Sequence, residues 1–461
     1  MARDLVDHQI IASRDELVGW LEAGCKPDGP FRIGTEHEKI PFYRADCSPA
    51  PYEGRPDVGR EGVHALLEEL SLTSGWERIE DSGALIGLYD PAGGAAISIE
   101  PGGQFELSGA PVEDVHQTRA ELVAHFAALA PIIDRLGVDF LDLGMSPLWR
   151  REDTPVMPKQ RYRIMARYMP KVGRLGLDMM FRTSTVQTNI DFASEADMVA
   201  KMRLALSLQP LFTALFANSP FTDGKPNGFL SMRSHIWTET DPDRTGMLPF
   251  VFEPGMGFDR YVDYALDAPM YFVKRGDHYH DVAGASFRDL LVGRLPQLPA
   301  ERATISDWAN HLSTIFPEVR LKRYMEMRGA DVGPREHILA FAALCAGLFY
   351  DREASAAAWD LVKGFDAHDR DAMRKAVPRE ALATKVRGRS LRDIALDILP
   401  LARAGLARRN RLDPAGQDET QYLAVLEEIA ETGETLAQKR LALYHGRWNE
   451  SVLPAFRECI F

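Results

Sequence analysis

The sequence predicts an α+β fold in which helices surround an antiparallel sheet. Two short segments, Ala96–Glu100 and Gln104–Ser108, alternate apolar and polar residues on either side of Pro101-Gly102-Gly103, which is the pattern of a hairpin. Beyond residue 335 the apolar residues recur at helical spacing, over roughly 335–350, 354–364, 390–407 and 418–445. We therefore expect a sheet with flanking helices over residues 1–333, and a helical region over residues 334–461 packed on the same domain.

Local signals predict the elements on either side of the hairpin. Ser13-Arg14-Asp15-Glu16 is a helix-capping pattern, and Leu17, Trp20 and Leu21 supply the apolar stripe of the helix that follows. Alternation and turn residues then predict the following order: a strand over 33–42, a short helix from Val63, strands over 76–81 and 85–89, a helix over 112–136 and a strand over 138–144.

The middle of the chain alternates between helical and strand-like patterns. Residues 181–192 read as a strand, because hydroxyl and amide side chains alternate with Val186 and Ile190. Ser194 begins a helix that we expect to bend or break at Pro210. The other predicted elements are a helix over 160–169, a strand over 229–237, a helix from Ser306 and a strand over 319–328.

Composition excludes several classes of protein. The 461 residues include 54 Lys and Arg against 67 Asp and Glu, a net charge of −13 that argues against nucleic-acid binding by phosphate neutralisation. The four cysteines show no zinc spacing and no disulfide framework, which favours a reducing compartment. No run of eighteen apolar residues and no secretory leader occurs. We therefore expect a cytoplasmic protein that binds neither nucleic acid nor membrane.

Glu36 and Glu38 are the first candidate functional residues. On a strand they project to one side, while His37 points to the other. Two carboxylates on one face repel each other, so they need either water or a cation beside them. One interpretation is a solvated edge strand; the other is half of an oxygen-ligand site for Mg²⁺.

Further carboxylates and basic residues favour the second interpretation. Glu100, Glu106 and Glu326 lie at polar-facing positions of predicted strands, and Arg233, Trp237 and Arg328 occupy similar faces. Carboxylates on several strands of one sheet can converge on two or more Mg²⁺ ions that hold a nucleoside triphosphate, which favours phosphoryl transfer. Arg163 and Arg167 lie four residues apart on a predicted helix, as an anion clamp or a solvated basic face. Gln187 and Asn189 could line a polar pocket.

Five segments combine these residues with a distinctive surrounding sequence. They are Ile33-Gly34-Thr35-Glu36-His37-Glu38-Lys39, Ile99-Glu100-Pro101-Gly102-Gly103-Gln104-Phe105-Glu106-Leu107-Ser108-Gly109, Arg182-Thr183 with Val186-Gln187, Phe229-Leu230-Ser231-Met232-Arg233-Ser234-His235-Ile236-Trp237, and Met325-Glu326-Met327-Arg328-Gly329-Ala330-Asp331. In this order they resemble the glutamate–cysteine ligase family, in its plant and alphaproteobacterial branch. The resemblance extends from about residue 30 to 331.

This resemblance implies a glutamine-synthetase-like antiparallel catalytic sheet, shaped as a saddle or funnel and surrounded by helices. It also implies that ATP phosphorylates the γ-carboxyl group of L-glutamate and that the amino group of L-cysteine attacks the γ-glutamyl phosphate, the first step of glutathione biosynthesis. The implied Mg²⁺ ligands are Glu36, Glu38, Glu100, Glu106 and Glu326. Arg233 and Arg163 are the candidate catalytic residues, and the candidate substrate-binding residues are Gln187, Asn189, Arg167, Trp237 and Arg328.

Two alternatives stay open at this stage. One is a related γ-glutamyl ligase that uses a different amine acceptor, and the other is a non-catalytic amino-acid-binding protein on the same fold. We expect two or more Mg²⁺ ions as cofactors, ATP as a co-substrate, and a monomer or homodimer. The plant-type regulatory cysteine pair is missing, because Val282 and Gln297 occupy its two positions in the resembling segments.

Overall fold

The computed structural model describes residues 6–461, so the expectation about a leader in the first five residues lies outside the described chain. Its strands are, in chain order, β1 (Ile33–Tyr43), β2 (Glu77–Asp81), β3 (Ala84–Tyr89), β4 (Ala96–Ile99), β5 (Phe105–Ser108), β6 (Val138–Leu141), β7 (Thr185–Ile190), β8 (Phe221–Thr222), β9 (Lys225–Pro226), β10 (Thr245–Gly246), β11 (Phe272–Arg275), β12 (His278–Asp281), β13 (Phe316–Pro317), β14 (Val319–Leu321), β15 (Met325–Asp331), β16 (Lys385–Val386) and β17 (Arg389–Ser390).

The α-helices lie around these strands and dominate the C-terminal third. They are α1 (Arg14–Glu22), α2 (Val63–Ser74), α3 (Val115–Leu136), α4 (Gln160–Val172), α5 (Gly176–Arg182), α6 (Glu195–Leu215), α7 (Met232–Thr238), α8 (Phe258–Asp267), α9 (Phe287–Leu291), α10 (Ile305–Ser313), α11 (Arg335–Phe349), α12 (Arg352–Val362), α13 (Ala367–Glu380), α14 (Leu391–Arg409), α15 (Ala424–Thr432), α16 (Leu436–His445) and α17 (Ala455–Glu458). None of the helices within residues 6–461 combines the length and apolar character needed to cross a membrane.

A nine-stranded sheet organises the molecule. Its strand order is β14-β15-β7-β1-β5-β4-β3-β2, with β6 pairing with the second half of β1. Every pairing in this sheet is antiparallel. The predicted α+β fold with a large antiparallel sheet is therefore confirmed.

Strand β1 holds the centre of the sheet because it pairs with β5, β6 and β7. His37 lies on the opposite side from its two glutamate neighbours, where its ring packs beside His125 and Phe126. Lys39, on the same side as His37, is fully buried and donates from Nζ to the Phe105 carbonyl oxygen at 3.2 Å. One side of β1 therefore packs in the core, and the side that carries Glu36 and Glu38 is the one that can form a functional site.

Two predicted strands are wrong. Residues 229–237 were expected to alternate along a strand, but helix α7 begins there, since the Ser231 hydroxyl accepts a hydrogen bond from the Ser234 backbone N–H as an N-cap. Residues 319–328 form two strands instead of one. Lys322 N–H donates to the Tyr324 carbonyl oxygen at 2.8 Å and closes a turn that places Arg320 opposite Glu326.

The helical regions differ from expectation in smaller ways. Helix α6 runs through Pro210 without ending, and the predicted single helix over 418–445 is divided at Gly433, which has φ +74°. Helix α13 and the short β16–β17 hairpin were not predicted. Helix α11 packs against β7 and β1, so the C-terminal region lies on the nine-stranded sheet. The division between residues 333 and 334 stays a prediction.

Candidate active site

One cavity lies over the Glu36 and Glu38 side of the central strands. It encloses about 950 Å³ including its open mouth, and strands, turns and helices from residue 36 to residue 328 contribute to its wall. The charged residues of the wall divide evenly by sign: the carboxylates are Glu36, Glu38, Glu100 and Glu106, and the guanidinium groups are Arg161, Arg233, Arg320 and Arg328.

Strand pairing determines where the carboxylates lie. Glu38 is directly opposite Glu106, and Glu106 is directly opposite Ser98, so three neighbouring strands present these side chains to one face. Glu100 follows the end of β4, two residues from Ser98 on the same face. The hairpin thus places Glu100 and Glu106 on the same wall, as the sequence predicted.

Neighbouring donors orient three of these carboxylates. The Asn189 side-chain amide donates to Glu36 Oε1 at 2.7 Å, and the Thr185 backbone N–H donates to Glu38 Oε2 at 3.0 Å. The hydroxyl groups of Ser98 and Ser108 each donate to a different oxygen of Glu106, both at 3.0 Å. Residues of the sheet therefore hold in place the carboxylate oxygens that could bind a metal ion.

The electrostatic environment of these carboxylates favours a bound cation. Burial raises the pKa of Glu36, and the negative charges of Glu326 and Glu106 raise it further. Burial likewise raises the pKa of Glu38 well above its usual value, with Glu106 and then Glu100 adding to the effect. Carboxylates that raise one another's pKa become more stable in the charged form when a divalent cation lies between them.

Glu326 occupies a different environment from the other four carboxylates. It is completely buried, and its carboxylate makes ion pairs with Arg320 and Arg328 at 2.6 Å and with Lys322 at 3.2 Å. Burial alone would raise the pKa of Glu326, but these three cations outweigh it and hold that pKa well below the usual range. Glu326 therefore anchors a cationic cluster beside Glu36, and its assignment as a metal ligand stays a prediction.

Helix α7 and strand β15 bring the predicted Arg233, Trp237 and Arg328 to the cavity wall. Arg233 Nη2 donates to the Arg328 carbonyl oxygen at 2.9 Å, and the Trp237 ring lies 6.0 Å and 5.7 Å from the two guanidinium carbons. Arg328 also donates to the side-chain oxygen of Gln187, another predicted residue on the wall. The helical spacing of four keeps Arg233 and Trp237 on one face, although the predicted strand was wrong.

The structure does not bring Arg163 and Arg167 to this wall. Both are exposed on the outer side of α4, where Arg167 pairs with Asp281 at 2.8 Å. Arg161, which was not among the predicted site residues, lines the cavity instead. Burial lowers the pKa of Arg161, but the neighbouring Tyr162 and Glu100 outweigh burial, so the net effect is to raise it.

A signal for Arg161 was present in the sequence. Tyr162, Met165 and Met169 form the buried stripe of α4, and Arg161 lies four residues before Met165 on the border of that stripe. Asn189 lies outside the cavity wall that contains Gln187, because it reaches Glu36 from the far end of β7. Arg320 also lines the cavity and was not among the predicted site residues.

The oxygen-donor chemistry of the site fits Mg²⁺, which prefers carboxylate and phosphate oxygens. Within residues 6–461, no three His, Cys, Asp or Glu side chains are already arranged as a metal site. Four carboxylates nevertheless line one wall, and burial together with neighbouring negative charge raises the pKa of two of them, Glu36 and Glu38. Glu36, Glu38, Glu100 and Glu106 are the residues that could hold such ions.

Comparison with known proteins supports the resemblance derived from the sequence. The profile of the glutamate–cysteine ligase family 2 matches residues 32–458. A chloroplastic glutamate–cysteine ligase of Arabidopsis thaliana is 50% identical over 449 residues, which cover 97% of this chain and 83% of the plant protein. Chloroplastic glutamate–cysteine ligase B of Oryza sativa subsp. japonica is 49% identical over 449 residues, with coverages of 97% and 87%.

A solved structure extends the comparison to the fold. Glutamate–cysteine ligase from Francisella tularensis, in complex with AMP, superposes with a TM-score of 0.52 at 14% identity and covers 93% of this chain and 88% of its own. At that identity the likeness concerns the fold alone. It agrees with the antiparallel catalytic sheet that the sequence predicted.

The same comparisons correct one prediction and establish the family. The predicted cytoplasmic location is wrong by this evidence, because the plant relatives are named as chloroplastic enzymes. The family profile covers most of the chain, and the plant relatives match it almost from end to end. The chain therefore belongs to the glutamate–cysteine ligase family 2.

Proposed function

We propose that this protein catalyses the ATP-dependent joining of the γ-carboxyl group of L-glutamate to the amino group of L-cysteine. The observation that carries the proposal is the cavity wall, in which four carboxylates and four arginines face one space. Carboxylates suit metal ions that accompany ATP, and arginines suit the carboxylates and phosphates of the reactants. Family membership supplies the identity of the two amino acids.

The proposed reaction has two steps. A γ-carboxyl oxygen of glutamate attacks the terminal phosphorus of ATP, the bond to the bridging oxygen breaks, and ADP leaves. The cysteine nitrogen then attacks the acyl carbon of γ-glutamyl phosphate, its carbon–oxygen bond breaks, inorganic phosphate leaves and the nitrogen loses a proton. Both steps develop negative charge on phosphate oxygens, where fixed cations stabilise the transition state.

The acidic wall is the proposed metal site. Glu36, Glu38, Glu100 and Glu106 would hold Mg²⁺, and two or more ions are compatible with four carboxylates. When bound, Mg²⁺ neutralises phosphate charge and aligns the nucleotide with its acceptor. The carboxylate orientations set by Asn189, Thr185, Ser98 and Ser108 prepare the protein for those ions.

The basic wall is the proposed site for substrate carboxylates and phosphates. Arg233 keeps the catalytic role predicted from the sequence, and Arg161 replaces Arg163 because Arg161 faces the cavity. Arg328, Gln187 and Trp237 are proposed to contact substrate. Asn189 is proposed to orient Glu36, since its amide already donates to that carboxylate.

An acceptor panel tests the choice of cysteine. Protein, ATP, Mg²⁺ and glutamate are incubated with cysteine, serine, alanine, glycine or 2-aminobutyrate, and ADP and γ-glutamyl products are measured for each. We expect cysteine to give the highest kcat/KM. Equal or better use of an acceptor without a thiol would overturn the cysteine assignment, and no glutamate-dependent ADP with any acceptor would overturn ligase activity.

A further inference from the structure

The inner end of helix α7 rests on a buried carboxylate that the proposed chemistry does not use. Asp331, the last residue of β15, is 1% exposed and accepts hydrogen bonds from the hydroxyl groups of Ser219 and of Ser231, the N-cap of α7. We infer that Asp331 is a positioning residue that holds the Arg233 guanidinium in place for substrate. This inference rests on the proposed substrate role of Arg233.

Two serine hydroxyls connect Asp331 to the helix. Asp331 Oδ1 accepts from Ser231 Oγ at 2.9 Å, and Ser231 Oγ accepts in turn from the Ser234 backbone N–H at 3.1 Å as the N-cap of α7. Asp331 Oδ2 accepts from Ser219 Oγ at 2.7 Å, and Ser219 Oγ accepts from the backbone N–H of Arg233 itself at 3.1 Å. Each carboxylate oxygen thus controls one hydroxyl that fixes the start of α7.

The backbone around Asp331 makes this connection rigid. Asp331 Oδ2 also accepts from the Asn218 backbone N–H at 2.9 Å, so Oδ2 accepts two hydrogen bonds and Oδ1 accepts one. Gly144 packs against the carboxylate so closely that an added Cβ would lie 2.7 Å from Asp331 Cβ and Cγ. Because Gly144 leaves no space on its side of the carboxylate, the Asp331 side chain has little freedom to reorient.

Charge gives Asp331 a direct effect on Arg233 as well. Arg233 is 3% exposed; its Nη2 donates to the Arg328 carbonyl oxygen, and its Nε has no hydrogen-bond partner among the described residues. Burial lowers the pKa of Arg233, and the negative charges of Asp331 and then Glu38 oppose that effect. Asp331 therefore supplies the charge behind the guanidinium, while substrate would approach from the cavity in front.

The test is a double-mutant cycle between Asp331→Asn and Arg233→Lys, with kcat and KM measured for glutamate and for cysteine. Asparagine keeps the size and one acceptor oxygen but removes the charge. We expect Asp331→Asn to raise the KM of the same amino acid whose KM rises in Arg233→Lys, by about tenfold or more. In the Arg233→Lys background, Asp331→Asn should change that KM by less than about twofold, because the two residues act as one unit.

Further variants separate positioning from general destabilisation. Ser219→Ala and Ser231→Ala each remove one hydroxyl from Asp331, and we expect each to raise the same KM by about threefold to tenfold even if Asp331→Asn fails to fold. Asp142→Asn is the matched control, because Asp142 is also a buried carboxylate but pairs with Arg440 away from the cavity. It should lower the melting temperature and leave both KM values unchanged.

The outcomes distinguish the inference from the proposed function. If Arg233→Lys leaves every KM unchanged, the substrate role of Arg233 fails, and the inference fails with it. If Arg233→Lys raises a KM while Asp331→Asn and both serine variants do not, only the inference is overturned. Additive effects in the double variant, or an equal KM shift in Asp142→Asn, would also overturn it, because a merely structural role predicts those results.

Discussion

Glu38 on β1 lies directly opposite Glu106 on β5, and both side chains face the same cavity. A slip of one residue in this pairing would turn His37 into the cavity and bury both glutamates of β1 in the core. The core residues on the other side of β1, His37 and Lys39, oppose such a slip because they are packed among aromatic rings. The register of two strands therefore creates the acidic wall.

Removing one charge from that wall should reduce turnover. We predict that Glu38→Gln lowers kcat by about a hundredfold or more, because phosphate-bound Mg²⁺ would lose a charged ligand. The measurement is ADP release as a function of Mg²⁺ concentration, with Glu80→Gln as the control on the exposed strand β2. Near-normal turnover of Glu38→Gln at limiting Mg²⁺ would exclude Glu38 as a ligand.

The two serines that orient Glu106 should affect metal affinity more than substrate affinity. In Ser98→Ala/Ser108→Ala, Glu106 loses both hydroxyl donors while its charge remains. We predict an apparent Mg²⁺ affinity weaker by about tenfold to a hundredfold. Mg²⁺ titration of the activity at saturating glutamate and cysteine measures it, and an unchanged Mg²⁺ dependence would contradict the orienting role.

Two arginines that lie two residues apart on α4 provide a matched pair. Arg161 lines the cavity and Arg163 is exposed, so Arg161→Lys should lower kcat/KM by about a hundredfold while Arg163→Lys leaves it unchanged. An ammonium group cannot reproduce the two parallel hydrogen bonds of a guanidinium. Steady-state kinetics of both variants measure kcat/KM. A larger loss of kcat/KM in Arg163→Lys than in Arg161→Lys would restore the original assignment of Arg163.

A half-buried carboxyl outside the cavity should make stability depend on pH. Glu121 on α3 accepts from the Ala110 backbone N–H at 2.7 Å, and burial raises its pKa from 4.5 to about 7, with that hydrogen bond opposing and Asp90 adding to the shift. Since the folded pKa is the higher one, its stabilising contribution is complete below pH 4.5 and is lost as the pH rises through about 7.

Replacement by glutamine removes this titration and keeps the acceptor oxygen. We predict that Glu121→Gln becomes more stable relative to the unmodified protein between pH 5 and pH 8, by an amount on the order of 3 kcal/mol. Urea unfolding of both proteins at the two pH values measures the change. A stability difference that stays constant with pH would show that Glu121 is not the titrating group.

The sequence predicted the sheet and the acidic wall well because both depend on local patterns. Alternation places Glu36 with Glu38, and the Pro101-Gly102-Gly103 turn fixes which strand faces Glu106. Alternation alone predicted the wrong structure for residues 229–237 and 319–328. It does not distinguish a strand from a capped helix, and it does not reveal a turn that divides one strand into two. The Ser231 N-cap decides for helix, and the Lys322–Tyr324 turn decides for two strands.

Residues whose position depends on tertiary packing were harder to predict. To choose between Arg161 and Arg163, one must know which face of α4 is buried. To predict the ion pairs of Glu326, one must know that the neighbouring strand places Arg320 opposite it. Asp331 lies three residues beyond the predicted strand over 319–328, yet it ends a strand of the sheet and binds two serines about one hundred residues earlier in the chain. No local pattern records such contacts.

The most direct test of the proposed reaction follows the γ-carboxyl oxygen. The protein is incubated with ATP, Mg²⁺, cysteine and glutamate labelled with ¹⁸O in its γ-carboxyl group, and the dipeptide, ADP and phosphate are quantified by mass spectrometry. The proposed reaction predicts equal amounts of γ-glutamylcysteine and ADP, with one ¹⁸O atom transferred to each phosphate. Unlabelled phosphate, AMP with pyrophosphate, or no γ-glutamylcysteine would contradict it.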